Sequence, residues 1–476
     1  MSYPVEELQR FGYQQELRRA LRFRDLLAYG LIFMVPIAPM AIFGAVFSAS
    51  GGMVVTAYAI GVLALIFTAF SYSQMVRAFP LSGSVYNYVG RGIGAPVGFI
   101  AGWAIMLDYV LVPSLLYLVA SVALHASLAA VPVLSAVPVW VWLVAFVAAN
   151  TIVNTRGIKV TARFTWIMLI GELIVLFVFL GFGVWAIASG KGRWTWEPLY
   201  NPDHFGVALV LAATSVAVLS FLGFDGISML AEEAKGGARV IGRAMAGALL
   251  VTGLLFIAQT WVAAILTPDP QALIANGDPD GTAFYTAAAV AGGPWLGTLC
   301  AFATAIAWGL PDSMVAQVAI SRLLYAMARD RQLPGFLAKV SRKRNVPRNA
   351  ILLVAAVSLG IGLYMNLRDD GIALLSSLIN FGALTAFLLL HLSVIVYYLF
   401  RQRSRNLFAH LVMPLIGGTI LGFVVWNANV AAQKLGFGWI GLGLLVLIGL
   451  YVAGRRPELS GLAPTQHTGT PVREGV

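Results

Sequence analysis

Ser220-Phe221-Leu222-Gly223-Phe224-Asp225-Gly226 sets a carboxylate between two glycines in the middle of an apolar stretch that runs from about residue 206 to 231. A helix that crosses a bilayer satisfies its own backbone hydrogen bonds, so a break inside one is tolerated only where the freed groups face protein or a water-filled cavity. Such a break marks a site. A second stands upstream, where Met34-Val35-Pro36-Ile37-Ala38-Pro39-Met40 places two prolines near the middle of a span and removes two amide donors.

Both stretches are read as membrane spans because of what surrounds them. Of 476 residues, 59% are hydrophobic and 11% charged, whereas a soluble domain carries roughly a quarter charged residues and under half apolar ones. The apolar residues fall in runs close to the ~20 residues needed to cross the hydrocarbon. Twelve spans are predicted, at roughly 26–50, 54–78, 94–125, 136–154, 162–189, 206–231, 240–267, 283–326, 349–367, 372–400, 408–428 and 435–454. The two breaks therefore lie five spans apart, as expected of two inverted repeats whose first helices are discontinuous and meet at a midplane binding site.

The net charge of +11 follows the same topology. With a cytoplasmic N-terminus, 27 of the 31 basic residues fall in inside segments, and only Lys191, Arg193, Arg368 and Lys434 fall outside. The expected location is a cell membrane, multi-pass, with both termini cytoplasmic. The basic balance thus reads as a topology signal beside anionic lipid rather than a nucleic-acid surface; Arg342-Lys343-Arg344 is its densest point. No cleavable signal peptide is expected in the polar first twenty residues. The single Cys300 permits no internal disulfide. No nucleotide loop or metal cluster has the required spacing, so no cofactor is expected.

The pattern resembles the amino acid–polyamine–organocation transporters, and within them is similar to the putrescine importer group. The resemblance runs from about Leu26 to Gly454. It is carried by Phe79-Pro80-Leu81-Ser82-Gly83-Ser84-Val85-Tyr86, by Gly102-Trp103 through Leu107-Asp108-Tyr109, and by Phe221-Leu222-Gly223-Phe224-Asp225. It extends to Ser321-Arg322-Leu323-Leu324-Tyr325 with Arg329-Asp330, and to Leu378-Ile379-Asn380-Phe381-Gly382-Ala383-Leu384. The resemblance implies an all-α polytopic membrane protein with the leucine-transporter fold, five-plus-five inverted repeats and two extra helices, working by alternating access. The corresponding segments are a cytoplasmic N-terminal piece at 1–25, repeats at 26–189 and 206–400, the extra helices at 408–454 and a disordered cytoplasmic tail at 455–476. Two departures stand out. Ala41 occupies a position where putrescine importers carry an aspartate, and Glu172, aligned on Thr161-Ala162-Arg163, stands where many amino-acid members carry a lysine in place of a sodium ion.

A carboxylate at bilayer depth is costly unless paired, hydrated or protonated, which makes each one a functional candidate. Asp108, Glu172, Asp225 and Asp312 qualify, with no lysine or arginine at comparable depth. Substrate is expected against Pro36, Ala38, Pro39, Met40 and Ala41 of span 1, Asp108 and Tyr109 of span 3, and Phe221, Gly223, Phe224, Asp225 and Gly226 of span 6. Asp225 either meets an ammonium or caps its own break. Asp108 beside Tyr109 suits an alkylammonium through ion pairing and cation–π attraction, or else bonds a neighbouring helix. Glu172 is the expected proton carrier. Asp312, after Gly309-Leu310-Pro311, and His391, alone among leucines, are further coupling candidates, against the alternatives of a kink cap and an interhelical contact. Glu232 and Glu233 read as a solvated pair at the end of span 6. An intramembrane enzyme would need a nucleophile and base at depth, and His391 has no evident serine partner; a channel would favour rings of pore-lining groups. The expected function is secondary, proton-coupled import of a small organic amine or amino acid, putrescine favoured, with substrate, proton and membrane lipid as partners.

Overall fold

The computed structural model describes residues 21–454, apart from 82–83, 129–131, 157, 193, 279–280, 330–332, 342–345, 369–370 and 429. Most of the expected N-terminal piece, the tail from 455, Arg342-Lys343-Arg344, Ser82, Gly83 and Asp330 lie outside the described residues, as do the side chains of Thr161-Ala162-Arg163, Glu232 and Glu233.

Among the described residues there are ten long apolar helices and two bent helix pairs, twelve spans when each pair is taken as one. Span 1 is Phe23–Met34 with Pro39–Ala49, bent by 57°, and span 6 is Val207–Phe221 with Phe224–Ala231, bent by 43°. Spans 2 to 5 are Val54–Ala78, Ala95–Ser127, Val139–Arg156 and Ile158–Ala188. Span 7 is Ala238–Ile265, span 8 Pro294–Arg329, span 9 Arg348–Met365, span 10 Gly371–Ile395 with its continuation Val396–Arg401, span 11 Phe408–Trp426 and span 12 Val430–Val452. Among the described residues there is no β-strand, only an isolated parallel bridge between Leu21 and Ala234 that sets the start of span 1 beside the end of span 6.

The sequence places span 8 at 283–326, but the chain divides there. Ala283–Gly292 forms its own short helix, and span 8 begins at Pro294. The cause is local: Gly293 adopts φ +99° and Pro294 starts the next helix, where its missing N–H has no helical acceptor to lose. Short helices at Ser84–Gly92 and Pro270–Asn276, between spans, were equally invisible to a reading of apolar runs.

Spans 1, 2, 3, 6, 7, 8 and 10 supply most of the buried core, while span 12 and much of span 5 turn large apolar residues such as Phe437, Leu445 and Ile174 outward. In water such a surface would be a liability; against lipid tails it is the ordinary outer face of a bundle, because hydrocarbon offers apolar side chains no reason to hide. Polar atoms instead join the helices. Trp103 of span 3 donates through Nε1 to the Trp439 carbonyl at 2.9 Å, and Trp439 returns the bond to the Trp103 carbonyl at 2.8 Å, with the rings stacked at 4.8 Å. This reciprocal pair seats span 12 on span 3.

Candidate functional site

The break in span 1 follows from its prolines. Pro36 cannot donate to the preceding turn and Pro39 starts the second helix, so residues 36 to 38 form a turn after Val35, which stands at φ +45°. The Pro36 carbonyl is freed by this break, and Nε2 of the fully buried Gln259, from span 7, donates to it at 2.9 Å. In span 6 the chain turns at Gly223, whose φ of +102° is open to glycine and strained for other residues.

The two breaks touch. A Cβ placed on Gly223 would stand 2.6 Å from Cγ of Phe33, and one on Gly226 would stand 2.6 Å from its Cε1. The two glycines thus form a cradle for the ring that ends the first half of span 1. Behind the turn, Phe221 packs with Tyr58 and Phe256 at centroid distances of 6.0 and 4.9 Å, while Phe224 packs with Tyr72 and Phe387 at 6.0 and 5.6 Å. These aromatic side chains are fully buried, so the unwound segment is held by packing on the side away from the cavity.

Asp225 follows the turn and is 1% exposed. Its Oδ2 accepts from the Tyr109 hydroxyl of span 3 at 2.7 Å and from the Tyr72 hydroxyl of span 2 at 3.3 Å. A buried carboxylate that accepts two phenol protons is bonded into the bundle and acts on the cavity through Tyr109.

Between the breaks lies a small cavity of ≈ 40 Å³, room for a few waters. Phe33, Val35 and Ala38 of span 1, Asp108 and Tyr109 of span 3, Ser220 and Gly223 of span 6, and Trp308 and Asp312 of span 8 line it with apolar neighbours. No lysine or arginine does so among the described residues. Asp108 is 3% exposed, and its Oδ1 has no hydrogen-bond partner among the described residues. Its like-charged neighbour is Asp225.

Span 8 carries a third irregularity. Trp308–Asp312 forms a π-turn with Pro311 inside it, the kind of bulge that recurs at functional sites. Asn150 of span 4 closes it: its Nδ2 lies 3.1 Å from the Gly309 carbonyl, 2.7 Å from Ser313 Oγ and 3.2 Å from the Tyr117 hydroxyl. One turn on, Asn154 Nδ2 donates to the Met314 carbonyl at 3.1 Å and to Gln317 Oε1 at 2.7 Å. The bulge turns Asp312 toward the cavity, and Glu172 of span 5 is its like-charged neighbour. Glu172 is buried and stands behind Asp312 rather than on the cavity wall, and its Oε2 has no hydrogen-bond partner among the described residues.

Of the candidate residues, Ala38, Asp108, Tyr109, Gly223 and Asp312 border the cavity. Pro36, Pro39, Met40, Ala41, Phe221, Phe224, Asp225 and Gly226 shape or support the breaks without bordering it. His391 lies elsewhere: its Nδ1 is 2.9 Å from Ser71 Oγ and its Nε2 3.2 Å from Thr68 Oγ1, with its ring against Gly417. It joins spans 2, 10 and 11. Phe33, Ser220, Trp308, Gln259 and Asn150 are the site residues that sequence reading passed over. Gln259, Asn150 and Asn154 did carry a signal, since an amide side chain inside an apolar span needs a partner on another helix.

Twelve spans with two broken helices meeting at a buried acidic cavity define a membrane transporter. The sequence pattern of the family described as amino acid permease matches residues 34–447, and the chain belongs to that family, within the amino acid–polyamine–organocation superfamily. It is 33% identical over 450 residues to the low-affinity putrescine importer PlaP of Escherichia coli (strain K12), covering 93% of this chain and 96% of that protein. It is 28% identical to the methylthioribose transporter of Bacillus subtilis (strain 168), over 89% of this chain and 94% of that one. It is also 28% identical to the branched-chain amino acid permease BcaP of Lactococcus lactis subsp. cremoris (strain MG1363), over 91% and 94%.

Proposed function

We propose that the chain imports a small organic amine, with putrescine the favoured substrate, by proton symport through alternating access at the cell membrane, with both termini in the cytoplasm. The observation that carries this reading is Asp108: a buried carboxylate with an oxygen that has no hydrogen-bond partner among the described residues, beside Tyr109, in a cavity with no basic residue among its described lining. An ammonium supplies the missing charge and the missing donors together, and the aromatic neighbours favour it further. A zwitterion would bring its own carboxylate into an acidic cavity. The relative named as a putrescine importer supports the amine, and the permease named for branched-chain amino acids marks the alternative, an amino-acid permease. The halves at 26–189 and 206–400 would move against each other as inverted repeats, with 408–454 as an added pair of helices.

In this reading Phe33 and the two glycines beneath it form the contact across which spans 1 and 6 separate and close. Glu172 carries the coupling proton, one helix behind the cavity wall. The test is uptake of labelled putrescine by the full-length protein in liposomes, with an inwardly directed proton gradient and unlabelled putrescine, arginine and leucine as competitors. Saturable uptake that collapses with the gradient and yields to putrescine supports the proposal. Uptake of leucine that no diamine inhibits rejects the amine reading in favour of an amino-acid permease.

A further inference from the structure

The cavity has two acidic walls, and they belong to different helices. Asp108 stands on span 3, and Asp312 is turned in by the π-turn of span 8; they are 3% and 6% exposed. Each has its own like-charged neighbour, Asp225 for Asp108 and Glu172 for Asp312. A single ammonium placed against either would leave the other without a counter-charge in a low-dielectric interior, which is strongly unfavourable.

Span 3 gives the separation. Asp108, Val112, Leu115 and Leu116 border the cavity at intervals of four, three and one residues, a stripe along one face of the helix. Tyr117, next to the far end of this stripe, is tied to the span 8 bulge through Asn150, whose Nδ2 lies 3.2 Å from the Tyr117 hydroxyl and 2.7 Å from Oγ of Ser313, the residue after Asp312. From Asp108 to that end the helix rises roughly 12 Å at 1.5 Å per residue. The wall between is aliphatic, and Phe33 and Trp308 also face the cavity. Two carboxylates at the ends of an apolar trough match a linear chain of methylenes with a cation at each end. A rise of that order is what a linear diamine of about four or five carbons spans with a charge-assisted hydrogen bond of about 2.8 Å at either terminus.

Resting on the amine reading above, we infer that Asp312 is a specificity-determining residue that receives the second ammonium of a linear diamine whose first ammonium meets Asp108. The cavity then selects by charge number and by length: a monoamine satisfies one end, and a diamine that is too short reaches only one.

The experiment is competition against labelled putrescine uptake in liposomes bearing the full-length protein. The competitors are linear diamines of two to eight carbons, butylamine and leucine. With the unaltered protein, inhibition is expected to peak at four to five carbons, and butylamine to be at least about tenfold weaker than the best diamine. Asp312→Asn is expected to weaken diamines by about ten- to a hundredfold and butylamine far less, so that the diamine advantage largely disappears. The inference is overturned if butylamine matches the diamines in the unaltered protein, if inhibition has no length optimum, or if Asp312→Asn weakens diamine and monoamine alike. The length series needs no variant and decides the matter even if Asp312→Asn fails to fold. If leucine competes and no amine does, the amine reading itself falls, an outcome distinct from loss of the length optimum alone.

Discussion

The Tyr109 hydroxyl donates to Asp225 Oδ2 across 2.7 Å, tying the cavity wall on span 3 to the first turn after the break in span 6. Tyr109 also borders the cavity and Asp225 does not, so under the proposed function the carboxylate would act on substrate by holding the phenol. Asp225→Asn is expected to abolish transport while expression and folding persist, because asparagine keeps the size and one acceptor. Tyr109→Phe should weaken substrate binding by removing the same hydrogen bond that Asp225→Asn already weakens by taking away its charge. A double-mutant cycle on substrate affinity should therefore show a coupling of at least about 1 kcal/mol. Additive effects would mean that the two residues serve separate ends.

Gly223 and Gly226 both abut Phe33, but for different reasons. At Gly223 an added methyl meets the ring and also a φ of +102°; at Gly226 it meets the ring alone. Gly223→Ala should cost about 1–3 kcal/mol from backbone strain in addition to the clash. Gly226→Ala should suffer the clash only. Phe33→Ala is therefore expected to restore the thermal stability of Gly226→Ala largely and that of Gly223→Ala only in part, as read by thermal unfolding in detergent. Equal rescue of both would show that the left-handed turn is not held in the folded protein.

These two glycines also show how much of the molecule the sequence discloses. Both breaks were legible, because paired prolines and a glycine-bracketed carboxylate are local signals that a helix cannot continue with all its bonds made. The twelve spans and the family followed from composition and ordered motifs. The third irregularity was not legible as such: Gly309-Leu310-Pro311 suggested a kink, but the π-turn that rotates Asp312 toward the cavity is closed by Asn150, 159 residues earlier than the carbonyl it binds. The partners of Asp225 come from 116 and 153 residues away. Such pairings depend on which helix faces meet, and a nearly uniform apolar pattern leaves those faces undefined. Phe33 and Trp308 escaped notice for the same reason, being apolar residues among many.

Gln259 should be among the most sensitive positions outside the cavity. Its amide is the side-chain donor to the Pro36 carbonyl freed by the break, and both residues are buried. Gln259→Leu keeps the volume and removes the donor, so it should destabilise the protein by about 1–3 kcal/mol, the cost of a buried unsatisfied carbonyl. Substrate affinity should fall with it, since Val35 and Ala38, on either side of Pro36, border the cavity. Thermal unfolding and substrate titration on the same sample check both effects. Unchanged stability would show that the carbonyl finds another partner.

In the proposed cycle, coupling rests on Glu172. It is 5% exposed on span 5, has an oxygen without a hydrogen-bond partner among the described residues, and acts electrostatically on Asp312, which borders the cavity. Carrying a proton relieves the repulsion between the two carboxylates, and losing it restores that repulsion beside the substrate. This is a physical link between the proton and the state of the site. It also places the titrating group one helix behind the substrate, so that removing its charge need not remove the site. Glu172→Gln is therefore expected to exchange labelled for unlabelled substrate at a rate within about threefold of the unaltered protein, while losing accumulation driven by an imposed pH gradient, with internal substrate rising only to the external level. In the unaltered protein an acidic exterior should raise accumulation and a reversed gradient should abolish it. Accumulation by Glu172→Gln that still follows the gradient would make Glu172 structural. Asp312→Asn and His391→Gln would then be assayed in the same way, and Asp312, which faces the cavity, would be the stronger claimant over His391, whose ring nitrogens lie beside Ser71 and Thr68.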